Sequence, residues 1–225
     1  MSLETWQAAL VEALTTDADP AFASSPGFRL TRRVQREWRA FRIRSSLPLT
    51  CRLLGTRCAD ALDCYLDAVL EPSSFFLREA EQFVAHCRFE ERATADHLCA
   101  VVRFELAMLR GVQARAGHHA EVTVLPPGAQ RVVTHWAADV IPFGAPPERV
   151  LMAAVSGGSS TPLPTPAGRH PLLCTPLACR MATAAEEAVF ARVRDAVTPT
   201  AVVVDATVRA LHDAGALVPA SALDR

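Results

Sequence analysis

Lysine is absent from this chain of 225 residues: its 23 basic side chains are all arginine, set against 24 acids. Without lysine there is no Schiff-base amine and no phosphate-binding lysine of the P-loop kind, so both reaction classes are excluded together. Long apolar runs are also lacking. No window approaches the ~18 uncharged apolar residues of a membrane span. The stretch Met1–Leu14 carries Glu4 and Glu12 and no basic cluster, unlike an export signal. The expectation is a cytoplasmic protein without membrane association. Recurrent catalytic signatures are missing too, with no G-x-S-x-G elbow, G-x-G-x-x-G loop, P-loop or H-E-x-x-H pair. Ser156-Gly157-Gly158-Ser159-Ser160 reads as a hairpin turn before it reads as a phosphate cradle.

Apolar residues make up 50% and charged residues 21%, a balance that supports a sizeable core rather than disorder. The seven cysteines (51, 58, 64, 87, 99, 174 and 179) are odd in number, which fits a reduced intracellular chain better than a disulfide scaffold. Alanine and arginine richness is what a GC-rich genome produces, and codon bias accounts for the missing lysine. It does not account for position. Residues 29–57 hold nine arginines against one acid, Glu37, a local net charge of +8 in a chain whose net charge is −1. Such a stripe is a candidate contact surface for an acidic partner, a peptide or a nucleic acid.

Periodicity divides the chain into a helical part, residues 1–117, and a β-containing part, residues 118–225, ending in a helix pair. Leu3, Trp6, Leu10 and Leu14 recur at helical spacing. After a break over Asp17–Pro26, a long helix is expected from Thr31 to Ser46, with Val34, Trp38, Phe41 and Ser45 as its core stripe. Pro48 suits the first turn of a short helix stopping near Gly55. Leu62, Tyr65, Leu66 and Val69 mark a further helix. Ser73 or Ser74 would cap the next, with Leu77, Ala80, Val84 and Cys87 inward, and Thr94 would cap a fifth, with Leu98, Val101, Val102, Leu109 and Val112 inward. Residues 121–180 hold ten of the sixteen prolines. Strands are expected at Glu121–Leu125, Arg131–Ile141, Val150–Val155 and Leu172–Leu177, and a loop at Ser156–Gly168. In the tail, Thr183 and Glu186 form a capping box ahead of one helix. Thr200 would cap a second, and a terminal strand follows Gly215, a pattern like that of a winged helix. The fold class is α+β: an N-terminal helical bundle, then a small β-rich domain.

Candidate chemistry is sparse. Cys174 and Cys179 have no second pair at zinc-site spacing, His86-Cys87 and His118-His119 diverge as neighbours, and buried cysteines acting as small hydrophobes are the simpler reading. Glu105 on the fifth helix suits an acid or base, or a structural partner for an arginine of the basic helix. His97 and His135 read as partly buried histidines. Duplex DNA binding has the arginine stripe and the tail helices in its favour. Against it, the second tail helix carries Asp205 and Asp213 and only Arg209.

The run Arg36-Glu37-Trp38-Arg39-Ala40-Phe41-Arg42-Ile43-Arg44, followed by Ser46 to Gly55, resembles a family of partner subunits. So do Tyr65-Leu66, Pro72–Phe75, Glu81, Phe83 and Arg103-Phe104-Glu105 at their intervals. These subunits serve multinuclear non-haem iron oxidative enzymes that modify cysteines of ribosomally made peptides, as in methanobactin, thiaglutamate and bufferin pathways. Members are often labelled DNA-binding proteins. The resemblance covers residues 1–117 well and the remainder loosely, and departs at Arg44-Ser45-Ser46, where the usual asparagine is missing. It implies a non-catalytic chain with no cofactor of its own. The partners it implies are a TIM-barrel enzyme that holds the iron and a ribosomal precursor peptide. The expected enzyme interface is Arg29, Arg32, Arg33, Arg36 and Arg39. The expected peptide-pairing strand contains Arg131, Val133, His135 and Trp136. Two competing readings are a DNA-binding regulator and a metal or redox protein using Cys174 and Cys179.

Overall fold

The computed structural model describes residues 25–69, 75–89, 97–117, 125–157 and 162–222. The expected helix over Leu3–Leu14, the Ser73, Ser74 and Thr94 caps, His118, His119 and the strand residues 121–124 lie outside them. The fold is α+β, with helices first and two three-stranded antiparallel sheets later. Two compact units divide at Glu90/Glu91, not after Gly117. The fifth helix belongs to the second unit because its apolar face packs on strands of that unit.

In the first unit, α1 (Pro26–Ser46) begins five residues before the expected start. Ser25 accepts a hydrogen bond from the Phe28 amide at 3.2 Å, and Pro26 occupies the first turn, where its missing N–H costs nothing. A Ser-Pro pair is here a start signal, not the end of a break. Next come α2 (Pro48–Leu54), stopped at Gly55 with φ +57°, then α3 (Arg57–Ala68) and α4 (Phe76–His86). Leu62, Tyr65, Ala80, Phe83 and Phe89 fill the centre, and Tyr65 and Phe89 each meet the Phe83 ring edge-on.

The rotation of α1 departs from expectation. Its buried residues are Phe28, Arg39, Ala40, Ile43 and Ser46, whereas Val34, Trp38 and Phe41 are exposed. An ion pair turns the helix. Arg39 Nε donates to Glu79 Oε1 of α4 at 2.8 Å, both side chains being almost fully buried. Arg39 Nη1 donates to the Val69 carbonyl at 2.6 Å, and the guanidinium lies 5.1 Å from the Tyr65 ring centroid, a cation–π distance. Tyr65, the only tyrosine in the chain, donates its hydroxyl to the same Glu79 oxygen at 2.9 Å. Burial and then the neighbouring carboxylate push its phenol up to about 12. Two charges out of water are tolerated because they pair and each finds a further partner, although Arg39 Nη2 is buried without one.

In the second unit, α5 (His97–Ala116) packs on β2 (Asp139–Phe143) and β3 (His170–Cys174). Arg103 of α5 holds both carboxylate oxygens of Asp139, at 3.0 and 2.6 Å, and the Val140 carbonyl at 3.1 Å. The second sheet runs β2-β3-β4, with β4 at Cys179–Met181. The first sheet runs β5-β1-β6, with β1 at Ala129–Thr134, β5 at Thr200–Val203 and β6 at Leu217–Pro219. Its core gathers Val132, Phe190, Val193, Val202, Val208, Leu211 and Leu217.

Val112 of α5, expected inward, is 55% exposed, and three further sequence expectations change here. Arg131–Ile141 is not one strand, because the chain turns at His135–Ala138, where the Ala138 amide bonds the His135 carbonyl at 2.9 Å. Val150–Val155 is helical, within α6 (Pro147–Val155): Pro147 starts it, and Val150, Ala153 and Ala154 form an i, i+3, i+4 buried face. Thr200 opens β5 instead of capping a helix, so a strand separates α7 (Ala184–Arg194) from α8 (Ala206–Asp213). Asp205 caps α8 through the Val208 amide at 2.8 Å.

The Thr183–Glu186 capping box is present and extended. Arg180 donates two hydrogen bonds to Glu186, at 2.5 and 3.0 Å. That contact and the Thr183 bonds hold the Glu186 carboxyl down at about 2 against burial. A depressed folded-state value adds stability that is fully present above pH 4.5 and disappears as pH falls toward 2. Urea unfolding across this window should show the wild type losing about 2 kcal/mol more than Glu186→Gln, whose profile should be flatter. Arg39→Met alone should cost about 3–5 kcal/mol by stranding buried Glu79. Arg39→Met with Glu79→Leu should recover most of it in the same assay.

Candidate functional site

The residues of α1 separate by role. Arg39 is 4% exposed and spent on Glu79, so it leaves the expected interface. Arg36 reaches two acids of α3, Asp63 at 2.8 Å and Asp67 at 2.6 Å, all at the surface, and their hydrogen bonds raise its already high pKa against burial. Among the described residues no ion pair holds Arg29, Arg32 or Arg33. With Phe28 and Arg36 these three line a shallow groove of about 250 Å³.

Beside them runs a second feature. Leu30, Val34, Trp38 and Phe41 are 64%, 47%, 58% and 52% exposed, and their 4-4-3 spacing aligns them on one face. Trp38 meets Phe41 edge-on, with centroids 5.7 Å apart. On a helix of 3.6 residues per turn, all four lie on the side opposite Arg39. Single exposed apolar residues are ordinary, but a contiguous aromatic stripe flanked by arginine is the composition of interface centres. Val34, Trp38 and Phe41 share a helical stripe in the sequence, where a core face is expected, but the structure exposes all three.

The expected peptide strand is dispersed. Arg131 is exposed and lines a depression with Gln130, Pro199 and Pro219. Val133 is half-buried and pairs with Val218 of β6. His135 is buried: its amide bonds the Ala216 carbonyl at 2.9 Å and its Nδ1 accepts from the Ala137 amide at 3.1 Å. Trp136 is half exposed and stacks on His135 at 5.8 Å. The strand lies in the middle of its sheet, bonded to β5 on one side and to β6 on the other. The outer strands of this sheet are β5 and β6, where an incoming chain would more readily add than at central β1.

Elsewhere, His97 is buried with Nε2 2.6 Å from the Pro164 carbonyl, and Glu105 is buried on α5. Among the described residues no group of three His, Cys, Asp or Glu side chains is placed to hold a metal ion, and no helix is long and apolar enough to cross a membrane. The Cys58 thiol, beside Cys51, is drawn down to about 7 mainly by that contact.

The geometry defines an α+β protein with an exposed aromatic and arginine helix face. No family model matches the chain, and no curated protein or solved structure matches it.

The division of the arginines has a measurable consequence. Arg29→Glu, Arg32→Glu and Arg33→Glu should each change unfolding free energy by no more than about 0.5 kcal/mol. Arg36→Glu, which sets a carboxylate against Asp63 and Asp67, should cost about 1 kcal/mol. Urea titrations of the four variants check both statements.

Proposed function

We propose that the chain is a non-catalytic partner subunit. In this reading it docks on a TIM-barrel non-haem iron enzyme and helps hold a ribosomally made precursor peptide whose cysteine is modified. The observation that carries the reading is the face of α1. Leu30, Val34, Trp38 and Phe41 form an apolar stripe in water, beside arginines that no acid of the described residues engages. Trp and Arg are the side chains that most often dominate binding energy at protein interfaces. The resemblance of Arg36–Gly55 to partner subunits of such enzymes supports the same assignment. Arginine alone would serve phosphates equally well, but a duplex backbone offers nothing for a tryptophan–phenylalanine stripe to bury.

Within this proposal Arg29, Arg32 and Arg33 flank the enzyme contact, and the peptide pairs with β5 or β6 rather than β1. Iron and its redox chemistry reside in the enzyme.

The full chain, tagged and expressed in its native host, should co-purify with an iron-containing TIM-barrel protein and a short ribosomal peptide, identified by mass spectrometry. Trp38→Ala should weaken capture of the enzyme at least tenfold, about 1.4 kcal/mol, without lowering the melting temperature. Recovery of neither protein nor peptide rejects the proposal.

A further inference from the structure

The hairpin of β3 and β4 sets two thiols against each other. Cys174 and Cys179 are direct cross-strand partners, with their sulfurs 3.3 Å apart. The register gives the geometry of that pair. In an antiparallel ladder, hydrogen-bonded and non-hydrogen-bonded pairs alternate. The Thr175 amide bonds the Ala178 carbonyl at 2.8 Å, and the Ala182 amide bonds the Pro171 carbonyl at 2.9 Å. Both bonded pairs fall on odd-numbered positions of the β3 side of the hairpin, so Cys174–Cys179 is a non-hydrogen-bonded pair. Such pairs bring their Cα atoms to about 4.5 Å, inside the range that a disulfide spans without backbone movement.

The two thiols differ in access. Cys174 is 1% exposed, whereas Cys179 is open to solvent. The contact with Cys174 draws the Cys179 thiol down to about 7 against burial. The same contact, with burial and the Asp139 carboxylate, pushes Cys174 up. One sulfur is thus the accessible nucleophile and the other a shielded thiol waiting behind it.

The turn between them is held. Thr175 Oγ1 donates to the Ala214 carbonyl at 2.5 Å and accepts from the Leu177 and Ala178 amides. Arg115 donates to the Pro176 carbonyl at 2.6 Å. Leu177 packs against Gly215, where a Cβ would come within 3.0 Å of it. Gly215, at φ +74°, ends α8, and the Ala216 amide returns to the Leu211 carbonyl. A turn so anchored keeps the cysteines facing each other in the reduced state and needs little rearrangement to close.

We propose that Cys174 and Cys179 form a redox-active dithiol that exchanges with low-molecular-weight disulfides. The Cys179 thiolate attacks one sulfur of the small disulfide, joining to it and expelling the other half as a thiolate. Cys174 gives up its proton and attacks the Cys179 sulfur, forming the intramolecular bond and expelling the second half. The chain loses two electrons and two protons, and the small disulfide becomes two thiols. The proposal stands whether or not the α1 face binds an enzyme.

The lack of lysine makes the test direct, because trypsin then cuts only after arginine. Cleavage after Arg169 and Arg180 releases His170–Arg180, which contains both cysteines and no other. The full chain is incubated with glutathione disulfide, blocked with iodoacetamide and digested. The expected result is a peptide lighter by two hydrogens and unalkylated, restored to two alkylated cysteines by prior reduction. Cys174→Ser should instead accumulate a glutathione adduct on Cys179, and Cys179→Ser should leave Cys174 unmodified by the small disulfide. In wild type, a stable Cys179 adduct without closure overturns the proposal. So does modification confined to Cys64, or to Cys51 and Cys58.

Discussion

The buried contact of Arg39 with Glu79 is the constraint on which the first unit depends. A guanidinium and a carboxylate cannot leave water unless they meet, and their meeting point fixes α1 against α4. Tyr65 closes the arrangement from α3, its hydroxyl on the carboxylate and its ring beneath the guanidinium. Three helices are thereby keyed by one polar cluster in a mostly apolar core. Hydrophobic burial alone would have favoured the opposite rotation of α1, with Trp38 and Phe41 inside. The ion pair opposes that rotation, because turning Arg39 away would strand a buried Glu79.

That rotation is also what leaves α1 something to offer outside. Turning Arg39, Ala40 and Ile43 inward presents Leu30, Val34, Trp38 and Phe41 on the other side. The arginines then divide by their surroundings: Arg39 becomes structure, Arg36 is engaged by Asp63 and Asp67, and Arg29, Arg32 and Arg33 stay in water. The functional proposal rests on this partition rather than on the count of positive charges.

The second unit follows a different logic. Two small sheets share no strand, and their short strands are secured by side chains at their ends. Arg103 clasps Asp139 at the start of β2, Thr175 ties the β3–β4 turn to the end of α8, and Arg180 locks Glu186 at the start of α7. A turn braced on a neighbouring helix can carry a reactive pair in fixed geometry, which a free loop cannot.

Much of the local structure was legible in the residues themselves. Pro48 and Gly55 bounded a short helix, Thr183 and Glu186 capped another, and Gly215 ended the last. These signals work because a cap or a left-handed turn is satisfied by residues within a few positions of one another. The α+β class, several helix limits, the lack of lysine chemistry and the concentration of arginine on one helix were therefore readable from the residues alone. What tertiary structure alone decided was orientation and pairing. The inward face of α1 depended on an acid 40 residues away. The place of β1 between two strands depended on segments more than 65 residues downstream. Cys174 and Cys179 read as a poor zinc pair by spacing, and became a facing dithiol only through register. Such partners are set by which distant groups can be buried together with their charges and hydrogen bonds satisfied, and no periodicity within a single segment encodes that.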